Sequence, residues 1–262
     1  MIPKKIHYCW FSAEDFPDKV KLCIETWKKH LPDYEFILWD AAKAKATNIP
    51  WVIQAIEQKK WAFAADAIRV YAVFNEGGIY LDTDVEVCKS FDDLLEHPFF
   101  FGKENGSDRI EGAVFGAEAL NNYLRNLLQF YQNTTFAYDE ANIDQIVLPA
   151  VMLRVLDSEP FNKQIKNTLH PQEFFSPKSF IDGKISTTSN TYCIHHFESA
   201  WRPKSIRKGI ERRQRLYKIF PAPVAKILSI PLSLWTNLQS IGLLGTVRKL
   251  LNHKKSNSDA PK

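Results

Sequence analysis

The spacing of apolar and polar residues along the chain predicts alternating strands and helices. Residues 4–10 and 34–40 have the alternation and composition of strands. Between them, apolar residues recur at helical spacing in residues 17–30, and this segment ends in cations, which suit a helix C-terminus. A strand, a helix and a second strand in this order predict a parallel sheet with right-handed crossovers.

Later segments continue the same alternation. Helical patterns cover residues 50–76, about 120–132 and about 142–157, and strand patterns cover residues 79–87, 99–104, 113–118 and 191–201. The sequence therefore predicts an α/β fold.

Two acidic residues interrupt the apolar strand predicted at residues 79–87, "IYLDTDVEV". Since successive side chains of a strand point to opposite faces, Asp82 and Asp84 share a face with Tyr80 and Glu86, and the two aspartates lie roughly 7 Å apart. Buried carboxylates are costly unless they are paired or bound to a metal. A divalent cation would remove that cost, and carboxylate ligands favour Mn²⁺ or Mg²⁺ over Zn²⁺.

The helix before this strand carries a second charged pair. Asp66 and Arg69 stand three positions apart and share a helix face. Gly77 and Gly78 end that helix and lead into the aspartate strand, so the pair lies near the sheet edge where α/β folds bind ligands. Two alternatives stay open: an ordinary intrahelical ion pair, and a solvent-facing edge strand whose aspartates discourage aggregation.

Composition is that of a soluble globular protein. The chain has 262 residues, of which 45% are hydrophobic and 24% charged, enough for one large domain or one domain with an appendage. The four cysteines lack CxxC spacing, which predicts reduced thiols and neither a zinc site nor a disulfide framework. The N-terminus lacks the apolar core of a signal peptide, so we expect a cytoplasmic protein.

Charge separates an acidic body from a basic tail. Fourteen Lys and Arg but only two Asp and Glu lie from Trp201 onward, although the whole chain has a net charge of +4. We expect residues 208–252 to form a basic amphipathic helical extension on an anionic membrane surface, followed by a disordered tail at 253–262. The main domain would then comprise residues 1–207. The alternative is a helical pair packed on that domain with a solvated basic face.

Other roles for the tail are less favoured. Residues 227–247 contain no charge, but Pro, Gly and polar residues make them a poor membrane span. A nucleic-acid surface is not expected, because aliphatic residues interrupt the basic clusters and no recognised binding motif accompanies them.

Four ordered segments resemble glycosyltransferase family 32, which includes bacterial capsule and surface-polysaccharide enzymes. They are "IPKKIHYCWF", "CIETWKKHLPDYEFILWD", "FAADAIRVYAVFNEGGIYLDTDVEV" and "IHHFESAW" within residues 2–201, and coverage is weakest across about 105–190. The resemblance implies a GT-A-type fold with a mixed, mainly parallel sheet flanked by helices. It also implies a nucleotide-sugar donor, expected to be a UDP-sugar, a Mn²⁺ or Mg²⁺ ion, and transfer with retention to a glycan or lipid-linked glycan at the cytoplasmic face of the cell membrane.

The resemblance further implies roles in donor binding. Trp10 would stack on the donor base, Tyr80 would line the pocket, and Trp201 would close over the diphosphate. Asp66 and Arg69 would hold the sugar hydroxyls and steady the diphosphate.

The same resemblance assigns the metal contacts. Asp84 would be the direct ligand, Asp82 would contact the sugar or ribose and the water shell of the metal, and His196 would supply the C-terminal contact. His195 and His196 point to opposite faces of a strand, so at most one enters the site. Glu198 stands where a small residue is usual, and it either adds a carboxylate to the metal or faces solvent.

Transfer is favoured over hydrolysis, because a glycosidase needs two carboxylates that flank the scissile bond, whereas these lie beside the leaving group. No nucleophile is evident, and same-face displacement without a covalent intermediate stays open. The candidate nucleophiles are Asp66, Glu111, Asp139, Glu140 and Asp144. The alternatives are a protein-glycosylating transferase and a non-catalytic nucleotide-sugar-binding module.

Overall fold

Seven strands and ten α-helices form the described part of this computed structural model, which covers residues 1–107, 109–139, 143–158, 165, 168–199 and 202–258. The strands are β1 (Lys5–Cys9), β2 (Glu35–Trp39), β3 (Gly78–Leu81), β4 (Val85–Val87), β5 (Phe99–Phe100), β6 (Val114–Ala117) and β7 (Cys193–His195). The helices are α1 (Asp18–His30), α2 (Ala41–Lys45), α3 (Pro50–Glu57), α4 (Trp61–Glu76), α5 (Asn122–Asn133), α6 (Ile143–Ile146), α7 (Leu148–Ser158), α8 (Gln172–Phe175), α9 (Lys204–Ile219) and α10 (Ala222–Ser258).

The central sheet has the strand order β2–β1–β3–β6–β5. Strand β1 pairs in parallel with β2 and β3, whereas β6 pairs antiparallel with β3 and β5. Four of these five strands therefore run in one direction, and β3 is the middle strand. Helix α4 packs on this sheet and also contacts α3 and α5. The predicted α/β class with a mixed, mainly parallel sheet flanked by helices is confirmed.

The aspartate segment forms two strands, so the single continuous strand predicted for residues 79–87 is wrong. The backbone turns between β3 and β4, and the Val85 N–H donates to the Asp82 carbonyl at 3.0 Å. Strand β4 then leaves the central sheet and pairs antiparallel with β7 in a separate two-stranded sheet. Helix α1 holds β4 there, because the indole N–H of Trp27 donates to the Val85 carbonyl at 2.7 Å.

A tight reversal joins α4 to β3, as the two glycines predict. Gly77 and Gly78 have φ angles of 65° and 109°, a region that disfavours other residues. A Cβ added to Gly78 would lie 2.8 Å from the Lys5 carbonyl oxygen in β1. The middle strand therefore starts directly after α4, a helix that is buried along most of its length.

The chain divides into two compact units. The first comprises Met1–Phe136, Val147–Ser179 and Lys184–Glu198 and contains both sheets; the second comprises Ala137–Ile146, Phe180–Gly183 and the chain from Ser199 onward and contains α6, α9 and α10.

Helices α9 and α10 of the second unit meet through small residues. A Cβ added to Gly209 of α9 would lie 2.7 Å from the Thr236 side chain of α10, and Ala225 of α10 is fully buried. Large apolar side chains are left outside, among them Ile227 and Trp235, which are 67% and 56% exposed.

Helix α10 reaches Ser258 and so includes part of the segment 253–262 for which disorder is predicted; residues 259–262 lie outside the described part of the chain. The predicted domain limits at 207 and 252 stay predictions. Among the helices that the structure describes, none combines the length and the apolarity that crossing a membrane requires.

A buried histidine in β1 links the sheet to the glycine reversal. His7 is 0% exposed, and the indole N–H of Trp39 lies 3.2 Å from its Nδ1. Since an indole can only donate, Nδ1 accepts, and Nε2–H donates to the Gly77 carbonyl at 2.9 Å. The neutral imidazole satisfies both partners, and burial lowers the pKa of His7 despite the opposing effect of the bond to Gly77.

We expect His7 to make the fold acid-sensitive. The pKa of His7 in the folded chain lies below the usual value of about 6.5. Near and below that pH the unfolded chain therefore binds more protons than the folded chain, and the free energy of unfolding decreases as the pH is lowered. Protonation would set a second ring N–H against the Trp39 N–H, at a cost of about 1–3 kcal/mol. Urea unfolding at pH 7.5 and pH 5 should therefore show a smaller acid loss of unfolding free energy for His7→Gln than for wild type. The exposed His97→Gln serves as control and should keep the wild-type loss; equal losses in all three proteins would contradict the assignment.

Candidate active site

Five of the predicted site residues lie close together near the carboxyl end of β3: Asp66, Arg69, Tyr80, Asp82 and Asp84. The Asp82 N–H donates to the Ala113 carbonyl at 2.9 Å, which extends the pairing of β3 with β6 by one residue. Asp84 lies in the turn before β4, and β7 places His195 opposite Val85. One ligand atom each from Asp82, Asp84 and His195 lie within 4.8 Å of one another. This spacing is shorter than that of two residues on one straight strand, and it follows from the turn.

Arg69 joins α4 to the end of the middle strand. Its Nη1 donates to Asp82 Oδ2 at 3.1 Å and to the Gly112 carbonyl at 2.7 Å, and its Nη2 lies 3.0 Å from Asp66 Oδ1. The guanidinium also lies over the ring of Tyr80, 4.5 Å from the centroid. The side chain of Arg69 is only 6% exposed, so this charge is compensated by protein groups. The intrahelical ion pair that the sequence left open as an alternative for Asp66 and Arg69 is therefore present, and it includes Asp82.

Burial and the guanidinium act in opposite directions on the two carboxylates. Burial raises the pKa of Asp66 to about 6, although Arg69 and the Leu148 N–H, which donates to Oδ2 at 3.0 Å, pull it down. Burial also raises the pKa of Asp82, again against Arg69. The Tyr80 hydroxyl, whose pKa burial raises well above its usual value, donates to Asp82 Oδ1 at 2.8 Å. Asp82 is thus fixed by a donor on each oxygen, and each oxygen keeps a lone pair for a ligand.

Asp84 and His195 form the other half of the cluster. Asp84 Oδ2 accepts the Glu198 N–H at 2.8 Å, and its Oδ1 lies 3.7 Å from His195 Nε2. The other ring nitrogen, Nδ1, lies 3.1 Å from Oε1 of Glu111, although Nδ1 is not aligned for a hydrogen bond with any described residue. Burial lowers the pKa of His195, but Glu111 and Asp84 outweigh it and raise the pKa to about 9. The two carboxylates thus favour the protonated ring, and a cation bound at Nε2 would take the place of that proton.

The structure brings His195, and not His196, to the two aspartates. His196 Nε2 instead lies 2.9 Å from Glu86 Oε2, while its backbone N–H donates to the Asp84 carbonyl at 3.1 Å. Burial lowers the pKa of His196 despite this carboxylate. The reason is the register of β4 with β7, which sets His195 across from Val85 and leaves the next residue to bond Glu86. As expected, only one of the two histidine rings lies at the aspartates, but it is His195 and not the predicted His196.

Of the two tryptophans predicted to contact the nucleotide-sugar donor, the structure describes only Trp10. Trp10 follows β1, is partly exposed, and packs edge-to-face on Phe16 with ring centroids 5.0 Å apart. Its indole N–H donates to the Glu14 carbonyl at 2.8 Å. Trp201 lies outside the described residues, and the stacking roles of both tryptophans stay predictions. Glu198 pairs with Lys19 through its side chain, so it holds Asp84 through its backbone N–H only.

The candidate nucleophiles differ in access. Glu111 is 1% exposed and Asp66 is 7% exposed and paired, whereas Asp139 is exposed. Glu140 and the side chain of Asp144 lie outside the described residues. Sequence reasoning overlooked the contact between Glu111 and His195, because no spacing signal connects two residues on separate segments.

The three side chains of this cluster offer ligand atoms that fit a divalent cation. Two carboxylates from the turn after β3 and one imidazole from β7 approach one another, and Asp84 Oδ1 faces the His195 ring rather than a backbone donor. Carboxylate oxygens suit Mg²⁺ and Mn²⁺, and an added imidazole suits a transition ion. Asp82, Asp84 and His195 are therefore a candidate cation site.

Part of the chain matches a known protein family. Residues 17–101 match the family described as "Glycosyltransferase sugar-binding region containing DXD motif". The matched segment includes Asp66, Arg69, Tyr80 and both aspartates of the candidate site.

Similar proteins include two from Schizosaccharomyces pombe. Inositol phosphoceramide mannosyltransferase 3 is 32% identical over 148 residues, which are 52% of this chain and 40% of that protein. Inositol phosphoceramide mannosyltransferase 2 is 27% identical over 206 residues, which are 77% of this chain and 58% of that protein. A solved structure, PaToxG Glycosyltransferase, has a TM-score of 0.49 and 23% identity over 63% of this chain and 72% of that chain. The chain spans only part of the length of these curated relatives.

We expect Arg69→Lys to destabilise the fold. A lysine keeps the charge but cannot reach Asp66, Asp82 and the Gly112 carbonyl together, so at least one buried acceptor is left unpaired, which costs about 1–3 kcal/mol. Urea unfolding should record this loss. Arg125→Lys, on the exposed face of α5, is the matched control and should change stability by about 0.5 kcal/mol or less. Equal stability of Arg69→Lys and wild type would contradict the role given to the guanidinium.

Proposed function

We propose that this chain is a glycosyltransferase of family 32 and that it moves a sugar from a nucleotide-sugar donor to an acceptor with the help of a divalent cation. The observation that carries the proposal is the convergence of Asp82, Asp84 and His195 beyond the end of the middle strand, where α/β folds bind ligands.

Each side chain has a part in this reaction. A cation held by Asp84, Asp82 and His195 would supply Lewis-acid stabilisation of the departing nucleoside diphosphate. Arg69 and Tyr80 hold Asp82 in one orientation through its two oxygens. The Glu198 N–H holds Asp84. Such fixed groups need no rearrangement when charge develops on the leaving group, which is the source of their catalytic effect.

The finer features extend the same proposal. We infer transfer with retention, Mn²⁺ or Mg²⁺ as the ion, and contacts from Asp66 and Arg69 to the sugar and diphosphate. The expected donor is a UDP-sugar, and the relatives named as mannosyltransferases make mannose the first sugar to test. We propose a glycan or lipid-linked glycan acceptor, as in capsular or other surface-polysaccharide synthesis.

Residues 208–252 supply the proposed membrane contact of a cytoplasmic, peripheral enzyme. Nine large apolar side chains of this stretch are exposed among those that the structure describes: Ile219, Phe220, Val224, Ile227, Leu228, Ile230, Leu234, Trp235 and Leu238. Helix α9 carries seven Lys or Arg and one Glu. Exposed apolar residues beside concentrated positive charge suit a surface of anionic lipid.

Replacing the proposed direct ligand tests the reaction. With Mn²⁺ and a panel of UDP- and GDP-linked hexoses, we expect the wild type to release nucleoside diphosphate from at least one donor. Asp84→Asn should slow that release by about 100-fold or more, the size of effect seen when one electrostatic contact to the transition state is lost. Asp33→Asn, an exposed carboxylate far along the sequence from the motif, should keep the wild-type rate. EDTA should stop the release, and added Mn²⁺ should restore it.

The panel also separates the alternatives. A non-catalytic nucleotide-sugar-binding module would release no nucleoside diphosphate in the wild type. A protein-glycosylating transferase would turn over donor but would transfer the sugar to a protein instead of a glycan.

Vesicle binding tests the membrane contact. The full chain should co-sediment with phosphatidylglycerol vesicles at low salt and be released by high salt. Trp235→Glu should weaken binding by about 10- to 100-fold, since burial of a large apolar side chain contributes about 1.5–3 kcal/mol. Leu22→Glu, at a 62% exposed apolar position in α1, is the matched control and should bind as wild type does. Indifference of the wild type to these vesicles would overturn the proposal.

A further inference from the structure

We propose that Glu111 is a positioning residue, which holds the ring of His195 so that Nε2 is presented to Asp82 and Asp84 as a cation ligand. The inference rests on the proposed function, because it assumes that these residues bind a divalent cation. It gives Glu111 a different role from that of the nucleophile for which its sequence made it a candidate.

Backbone hydrogen bonds hold both the main chain and the carboxylate of Glu111 in place. The Glu111 N–H donates to the Gly102 carbonyl at 2.8 Å, and Oε1 accepts the Ala113 N–H at 2.9 Å. Glu111 is 1% exposed. It lies shortly before β6, which pairs with β3, so the carboxylate is tied to the same part of the sheet that carries Asp82. A carboxylate with this little freedom and exposure is poorly placed to attack a sugar.

The His195 ring lies between Glu111 and Asp84. Glu111 Oε1 is 3.1 Å from Nδ1, and Asp84 Oδ1 is 3.7 Å from Nε2. Since the two nitrogens lie on different sides of the imidazole, one carboxylate approaches each side. A shift of the ring away from Glu111 would therefore change the position of Nε2 relative to the aspartates.

Nδ1 of His195 is buried and has no aligned hydrogen-bond partner among the described residues, and Oε1 of Glu111 lies 3.1 Å from it. Nδ1 becomes a donor when it carries the proton. A hydrogen bond from Nδ1–H to Oε1 of Glu111 would remove the cost of leaving this buried nitrogen unpaired. It would also leave the lone pair on Nε2, facing Asp84. Carboxylates that orient metal-binding histidines in this way commonly change metal affinity 10- to 100-fold.

The test measures Mn²⁺ affinity without donor or turnover. Free Mn²⁺ is followed by electron paramagnetic resonance during titration of the full chain, with circular dichroism and thermal unfolding as checks on the fold. We expect Glu111→Ala to weaken Mn²⁺ binding by about 10- to 100-fold and Glu111→Gln, which keeps an acceptor oxygen, to weaken it less. Glu104→Ala is the matched control: this half-buried carboxylate is close enough to Glu111 and His195 to interact electrostatically, but it accepts from Ser107 at 2.7 Å. It should bind Mn²⁺ as wild type does.

A double-mutant cycle separates positioning from a general loss of structure or charge. If Glu111 acts through His195, Glu111→Ala should cause no further loss of affinity in a His195→Ala background. Additive losses, or equal losses in Glu104→Ala and Glu111→Ala, would overturn the inference. Should Glu111→Ala misfold, Glu111→Gln in both backgrounds decides by the same criterion. Wild-type binding with no effect of Glu111 would overturn this inference alone, whereas failure of the wild type to bind Mn²⁺ would overturn the cation site and the inference together.

Discussion

The guanidinium of Arg69 is the interaction on which the candidate site depends. It compensates the carboxylates of Asp66 and Asp82 and also binds the Gly112 carbonyl. These three acceptors belong to α4, to the end of β3 and to the segment before β6, so one side chain fixes a helix and two neighbouring strands relative to each other. Without the guanidinium, two buried carboxylates and a carbonyl would face one another, which is strongly unfavourable.

This arrangement gives the two aspartates of the DXD motif different mechanical properties. Asp82 is held by Arg69 and Tyr80 at the end of a strand in the centre of the sheet. Asp84 lies in the following turn and is held by one backbone N–H. The first carboxylate is therefore a rigid part of the fold, whereas the second can adjust to a ligand.

Much of this organisation could be predicted from local patterns. The apolar run before Asp82 predicts a central strand, the spacing of Asp66 and Arg69 places them on one helix face, and two successive glycines predict the end of α4. What local patterns could not give was the turn after β3 and the choice of His195. Both depend on the pairing of β4 with a strand more than 100 residues later, and a shift of that register by one residue would exchange the two histidines.

The turn between β3 and β4 places the two aspartates on different sheets. Asp82 continues the five-stranded sheet, and Asp84 precedes the strand that pairs with β7 in the two-stranded sheet. Any ligand that bridges their carboxylates also fastens one sheet to the other. Occupancy and the resistance of this junction to local opening are therefore thermodynamically linked, so that a chain with such a ligand bound is also the stiffer one.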